Sequence, residues 1–157
     1  EDLIASKKRL DRLYRLKKRL FGLTAPLIET EFTKNLLDVL GDDLNVSKAY
    51  ALIDELIASA NEMLDTAPKD KAYRQILLSS LSTIETVLGF GGQNPFDYFQ
   101  FGIDDETKNK IDTLIEQRSV AKKTKDFTAS DAIRDELTVL GVAIMDTSEG
   151  TFWEMKN

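Results

Sequence analysis

The side chains available for chemistry in this chain are carboxylates, lysines and hydroxyls, because its 157 residues include neither His nor Cys. A thiolate nucleophile, an imidazole base, a Ser-His-Asp triad and a disulfide are therefore excluded. A zinc site built from thiolates and imidazoles is excluded for the same reason. Any catalysis or recognition by this chain must rest on the residue types that remain.

Three polar side chains lie close together in front of a helical pattern, at Asp42, Asp43 and Asn45. Oxygen ligands at this spacing could indicate a cation site. Such clusters more commonly cap the helix that follows, and Asn45 is well placed to do so. We therefore predict a helix cap here and no metal site in the chain.

Basic residues are concentrated in two segments of a chain that is acidic overall, with a net charge of −6. Residues 1–20 contain eight basic residues against three acidic ones, and a second basic cluster lies near residues 118–125. Solvent-facing helix surface would explain both clusters. A track that binds phosphates would explain them as well. The candidates for backbone contact with a nucleic acid are Arg12, Arg15, Lys18, Arg118, Lys123 and Lys125.

Four amphipathic helices are predicted in the first ninety residues from apolar side chains that recur at helical spacing. They cover about 2–21, 29–40, 46–65 and 69–88. Gly41 stands where a left-handed residue often ends a helix, and Pro68 favours the first turn of the fourth helix. The four apolar faces need one another, so we predict a helical bundle over residues 1–90.

The remaining chain predicts a smaller α+β domain. Residues 91–103 have no defensible helical or strand period, and we interpret them as a linker that packs on the bundle. Two helices follow, at about 104–123 and 129–140, and then two strand-like runs flank Thr147–Gly150 as a hairpin. The predicted fold class is mainly α, with a helical bundle followed by a small domain of two helices and a β-hairpin over 104–157.

Hydropathy predicts the cellular context. No apolar run approaches the ~18 residues of a membrane span, and no signal-peptide pattern opens the chain. We expect a cytoplasmic protein that is monomeric and has no membrane partner. Because residue 1 is Glu rather than Met, we also expect a piece of a longer protein.

A spaced motif in the last forty residues carries a family resemblance. Its members are Arg118, Ala121, Lys125, Asp126, Phe127, Ala129, Asp131, Ile133, Arg134, Asp135, Leu137, Gly141, Val142, Ile144, Asp146, Gly150, Thr151 and Trp153. This arrangement closely resembles the C-terminal end of bacterial cysteinyl-tRNA synthetases. The stretch from Leu40 to Asn45 is similar to the M-D-D-D-[FL]-N motif of that family, and Leu88 with Gly89 falls where the family has its L-G.

The sequence departs from the family pattern at a few positions. Val46 and Ser47 stand where the family usually has Thr and Pro, and Phe127 replaces the Trp of some members. Lys122 stands where some members have Arg, and this change loses planar bidentate pairing while it keeps the charge. The resemblance covers the whole chain despite these differences.

The resemblance implies an RNA-binding role without catalysis. Members of the family attach cysteine to its tRNA through a cysteinyl-adenylate, using ATP and a zinc ion in an N-terminal catalytic domain. The H-I-G-H and K-M-S-K-S motifs of that domain are absent here. The chain then resembles the anticodon-binding part of a cysteine-tRNA ligase and is not expected to aminoacylate alone. Its implied partners are the cysteine tRNA and the missing catalytic domain in cis, with no cofactor in this part.

The resemblance also implies which residues contact the anticodon. A GCA anticodon presents amino groups on all three bases, and carboxylate oxygens are natural acceptors for them. The matching positions are Lys122, Phe127, Asp131, Asp146 and Trp153.

Each of these positions has a structural alternative. Asp131 could form a capping box with Thr128, and Asp146 could close the hairpin turn. Phe127 and Trp153 could belong to the core. The basic helix 1–20 could pack against the missing domain instead of tRNA. The alternative for the whole chain is a stand-alone helical bundle that serves as a protein-interaction module.

Overall fold

The computed structural model describes residues 3–156, which contain seven helices and one hairpin. The elements are α1 (Leu3–Arg19), α2 (Glu31–Gly41), α3 (Val46–Thr66), α4 (Lys71–Leu88), α5 (Pro95–Phe99), α6 (Asp105–Lys123), α7 (Phe127–Val139), β1 (Val142–Thr147) and β2 (Gly150–Met155). They form two compact units, Glu1–Pro95 and Phe96–Asn157. This architecture confirms the predicted fold class. None of the helices described between residues 3 and 156 is long and apolar enough to span a bilayer.

The first unit is a helical bundle whose core is formed by apolar side chains of α1, α3 and α4. Its buried members are Leu13, Leu16, Leu20, Ile53, Ile57, Ala60, Leu64, Leu77, Leu81 and Ile84. All of them belong to the predicted apolar faces, because the helical period alone places these positions on one side of each helix. In α2 the helical period predicts burial less reliably, since Leu36 and Leu37 both belong to the predicted apolar face but only Leu36 is buried. Leu37 is half exposed.

Side-chain caps begin α2, α3 and α4. Asn45 accepts a hydrogen bond from Lys48 N at 3.1 Å, which confirms the predicted cap of α3. Thr30 and Asp70 cap α2 and α4 in the same way. Pro68 therefore lies outside α4 rather than in its first turn.

The prediction for Gly41 was wrong. Gly41 is the last residue of α2, and the left-handed backbone falls on Asp43 and Leu44, with φ of 56° and 51°. The turn after α2 thus combines Asp43, a residue type that tolerates this conformation, with Leu44, which rarely adopts it.

The second unit packs α6 and α7 against the antiparallel hairpin. In the hairpin register Asp146 lies opposite Thr151 and Ile144 lies opposite Trp153. The core contains Ile111, Leu114, Leu137, Val142 and Trp153.

The predicted linker at 91–103 contains the five-residue helix α5 and spans the boundary between the two units. The ring of Phe96 is buried and stacks on Phe152 of β2, with centroids 4.9 Å apart. Phe96 therefore packs within the second unit. A helix this short shows barely one turn of period, so the sequence pattern could not reveal it.

Candidate nucleic-acid interface

Asp146 lies at the centre of a charged cluster in the second unit. Arg118 donates from Nη1 and Nη2 to the two carboxylate oxygens, at 3.0 and 3.1 Å. Lys122 Nζ donates to Oδ2 at 2.7 Å, and Thr151 Oγ1 donates to Oδ1 at 2.7 Å. The cluster joins α6 to both strands of the hairpin.

Local structure explains why these residues meet. Arg118 and Lys122 are four residues apart on α6, so they lie on the same face of the helix. Asp146 and Thr151 are directly opposite in the hairpin, where side chains of paired residues are in contact. The two-residue connection of Ser148 and Glu149 sets this register.

Asp146 does not close the turn, which was its structural alternative. Thr147 does so, because its Oγ1 donates to Gly150 O at 2.9 Å and accepts from Glu149 N at 3.1 Å. The carboxylate of Asp146 is therefore free of any role in the turn and faces α6.

Hydrogen bonds from Arg118, and then from Lys122, hold the pKa of the Asp146 carboxyl well below its usual range. The carboxylate consequently remains ionised at neutral pH. Its side chain is 46% exposed, whereas that of Arg118 is 7% exposed. The cluster thus presents an oriented anion to solvent from a buried cationic support.

A second part of the interface is the exposed start of α7. Asp126 caps α7 by accepting from Ala129 N at 3.0 Å, so the predicted capping box from Thr128 is not formed. Phe127 is 64% exposed and Asp131 is exposed as well. Because they are four residues apart on one helix, the ring and the carboxylate share a face.

The last turn of α6 and the connection to α7 carry the lysines of the second basic cluster. Lys122, Lys123 and Lys125 are all exposed. Lys125 has a left-handed backbone with φ of 60°, which lets the chain reverse before α7 begins.

Trp153 is a core residue in this structure, with 4% of its surface exposed. Its Nε1 donates to Asp112 Oδ1 at 2.7 Å, and its carbonyl oxygen accepts from Gln100 Nε2 at 2.8 Å. The ring has no open face on which a base could stack. The structure therefore gives Trp153 a role in the core, which is the structural alternative for this position.

Arg118, a candidate for contact with a phosphate, is bound to a carboxylate of the protein instead. Its guanidinium is buried and its two Nη atoms are bound to Asp146. Its Nε is buried and donates to no partner among the described residues. Arg118 is thus a support for Asp146 and is not available to a phosphate.

Basic residues of α1 bind carboxylates of α3. Arg9 and Arg12 both pair with Asp54, at 3.0 and 3.3 Å, and Arg19 pairs with Asp65 at 2.6 Å. Arg9 also lies 4.6 Å from the centre of the Tyr50 ring. Part of the basic charge of α1 is therefore used within the bundle, a role that the sequence analysis did not predict.

Lys17 is directed inward at the end of α1. Its Nζ donates to the carbonyl oxygens of Gly91 and Gln93, at 2.6 and 3.1 Å. Burial lowers the pKa of Lys17, and the charge of Glu85 partly offsets that effect. In contrast, the side chains of Lys8, Arg12 and Arg15 are exposed.

Comparison with known proteins assigns both halves of the chain. The family model described as the cysteinyl-tRNA ligase anticodon binding domain matches residues 104–153. A DALR domain model matches residues 37–92. The cysteine–tRNA ligase of Sulfurimonas denitrificans is 57% identical over 154 residues, which cover 98% of this chain and 33% of that protein. The chain belongs to the cysteinyl-tRNA ligase family.

Other members of the family match over the same extent. The cysteine–tRNA ligases of Sulfurovum sp. and Helicobacter pylori are 53% and 47% identical over 154 residues. In each case the match covers 98% of this chain and 33% of the relative. The chain thus spans about a third of the length of these relatives and corresponds to their C-terminal third.

The residues present do not fit the zinc ion implied for full-length members of the family. The chain has no thiolate or imidazole to bind zinc. Within residues 3–156 no group of three or more acidic side chains is arranged to hold a metal ion.

Proposed function

We propose that this chain binds the cysteine-accepting tRNA, and that its second unit reads the anticodon. The observation that carries the proposal is the oriented, ionised carboxylate of Asp146 within the segment that matches the family's anticodon-binding model. The chain would then be the RNA-binding third of an enzyme that joins cysteine to tRNA at the expense of ATP.

The chemistry of the anticodon supports this assignment. The bases of GCA each carry an amino group, and an ionised carboxylate is a strong acceptor for such donors. Asp146 and Asp131 supply two carboxylates on the exposed surface of one unit. Phe127, which is 64% exposed, supplies an aromatic ring on which an unstacked base can lie.

Contacts with the RNA backbone are assigned to exposed basic side chains. In the second unit these are Lys122, Lys123 and Lys125, which shortly precede α7 in sequence. In the first unit the exposed Arg12 and Arg15 of α1, together with the half-buried Lys18, fill the same role. Each phosphate that they neutralise releases counterions, so this part of the binding free energy depends on salt.

Aminoacylation is assigned to the rest of the enzyme. The chain has no His or Cys, and the catalytic motifs of the family are absent from it. We infer that it acts in cis with an N-terminal catalytic domain, as a monomer in the cytoplasm.

The proposal is tested by titrating the chain with the cysteine tRNA and with a copy altered only in its anticodon, at low and high salt. We expect tighter binding of the cognate tRNA, with a preference that persists at high salt because hydrogen bonds to bases release few counterions.

Equal and salt-sensitive binding of both tRNAs would restrict the chain to phosphate contacts and refute anticodon reading. Absence of binding at low salt would refute tRNA binding altogether and would favour the protein-interaction module. The charge-neutral variant Asp146→Asn tests the role of this carboxylate directly. It should remove the preference for the cognate tRNA while it leaves binding to the altered tRNA unchanged.

A further inference from the structure

The acceptor capacity of Asp146 is already filled. Its Oδ1 accepts from Arg118 Nη1 and Thr151 Oγ1, and its Oδ2 accepts from Arg118 Nη2 and Lys122 Nζ. A carboxylate offers about four lone-pair positions, two on each oxygen. An amino group of a base can therefore bind this carboxylate well only if one of the four donors leaves.

Arg118 is the donor that is hardest to displace. Its side chain is 7% exposed and makes two parallel hydrogen bonds to the carboxylate. Breaking a pair of this kind leaves a buried charge without compensation, which is strongly unfavourable. Arg118 therefore stays in place when RNA binds.

Thr151 is held by the hairpin. It lies directly opposite Asp146 in the register, so its hydroxyl reaches Oδ1 without any rearrangement of the backbone. Thr151 donates a single hydrogen bond, to Oδ1 alone. Its hydroxyl is uncharged, so a displaced Thr151 could not form an ion pair with a phosphate. Displacement of Thr151 would thus bring no compensating contact.

Lys122 is the donor that can leave at low cost. Its side chain is 43% exposed and lies in the last turn of α6. Exposed ion pairs contribute little stability, and the long flexible side chain of lysine readily finds other partners. Once displaced, the exposed ammonium is hydrated by solvent, so no buried charge is left without compensation.

We propose that the Lys122 ammonium occupies, in the RNA-free protein, the position on Asp146 Oδ2 that a base amino group takes on binding. Arg118 acts as a positioning residue that keeps the carboxylate aimed at this position. This inference rests on the proposed function, and it makes Lys122 a residue that sets specificity. Every RNA whose amino group binds Asp146 must first displace Lys122, whereas an RNA without that amino group need not.

The inference is tested with Lys122→Met, which keeps an unbranched side chain but removes the donor and the charge. The matched control is Lys123→Met, because Lys123 is the adjacent exposed lysine of α6 and loses the same charge. Binding is measured to the cysteine tRNA and to three copies that each lack one anticodon amino group. Inosine replaces G, uridine replaces C, and purine riboside replaces A.

We expect Lys122→Met to raise the preference for the intact tRNA at one of the three positions, by roughly two- to fivefold, the range of an exposed ion pair. Lys123→Met should leave all three ratios unchanged while it weakens binding to every RNA. A ratio that falls in Lys122→Met would show that Lys122 itself reads a base and would overturn the inference. Ratios that match those of Lys123→Met would overturn it too.

Asp146→Asn separates this inference from the proposed function. If Asp146→Asn lowers the preference for the intact tRNA at one anticodon position but Lys122→Met does not raise the preference there, the inference alone is refuted. If Asp146→Asn leaves all three ratios unchanged, the role of Asp146 in anticodon reading is refuted, and the inference falls with it.

Discussion

The indole Nε1 of Trp153 donates a hydrogen bond to Asp112 Oδ1 at 2.7 Å, and this bond ties strand β2 to helix α6. Trp153 was a candidate for contact with the anticodon, but its ring fills the core of the second unit with 4% of its surface exposed. The same α6 carries Arg118, which orients Asp146. The contact between Trp153 and Asp112 therefore stabilises the scaffold on which the candidate site is built.

Trp153→Phe should destabilise the second unit by about 1–2 kcal/mol, through loss of the hydrogen bond and of part of the buried ring. Thermal or urea unfolding measures this effect. Asp112→Asn, which keeps an acceptor oxygen, should cost less than Trp153→Phe. The folded fraction of Trp153→Phe should bind tRNA as wild type does. If binding falls by more than the loss of folded protein accounts for, the structural role is contradicted.

Phe127→Ala should weaken tRNA binding by about 1–3 kcal/mol, the range for one base stacked on an aromatic ring. The free energy of unfolding should change little, because the side chain is 64% exposed. Phe101→Ala is the matched control, since Phe101 is another aromatic residue of the same unit and is 92% exposed. If the two variants bind equally well, Phe127 is not a stacking platform.

Asp146→Asn should destabilise the protein at neutral pH by about 1–3 kcal/mol, less than for a fully buried pair because the carboxylate is half exposed. The expected pH dependence follows from the pKa, which the folded state lowers below its usual range. The unfolded chain therefore binds the proton more readily, so the stabilisation is present above about pH 4 and is lost as the pH falls toward the folded pKa.

The corresponding measurement is the unfolding free energy of wild type and Asp146→Asn between pH 7 and pH 3. The difference between them should be constant from pH 7 to about pH 5 and should narrow below about pH 4. A difference that stays the same down to pH 3 would mean that the charge of Asp146 does not stabilise the fold.

Reversal of Arg12, Arg15 and Lys18 to Glu should weaken tRNA binding and flatten its dependence on salt. Each lost phosphate contact should lower the slope of log K against log salt by about 0.7–0.9. The same reversal at Lys48, Lys69 and Lys71 is the control, because these exposed lysines of the first unit lie outside α1.

Unfolding must be measured on both triple variants, since Arg12 also pairs with Asp54. A charge reversal there replaces an attraction with a repulsion, and lost stability could imitate lost binding. If the α1 variant and its control change affinity and slope equally, α1 makes no specific contact with the RNA backbone.

The helices could be predicted from the sequence because their signals are local. The spacing of Leu13, Leu16 and Leu20 places them on one face of α1, and Asn45 identifies the start of α3 without reference to the rest of the chain. The short helix α5 escaped prediction, since five residues show too little of a helical period.

The candidate site could be predicted only in part. Asp146 and Lys122 were both singled out, and the structure brings them into contact. The contribution of Thr151 was missed, although a two-residue connection in the hairpin would have placed it opposite Asp146. The pairing of Arg9 and Arg12 with Asp54 left no such signal, because it joins residues more than forty positions apart.

The sequence by itself determined the residue types that exclude thiol and imidazole chemistry, the periods of the long helices, and the motif of the cysteinyl-tRNA ligase family. Only the tertiary structure decided which members of that motif are buried. Trp153 and Arg118 face inward while Phe127 and Asp146 remain accessible, although all four belong to the same pattern. The physical reason is that burial and charge pairing depend on contacts between distant segments, whereas helix period and capping depend on neighbours along the chain.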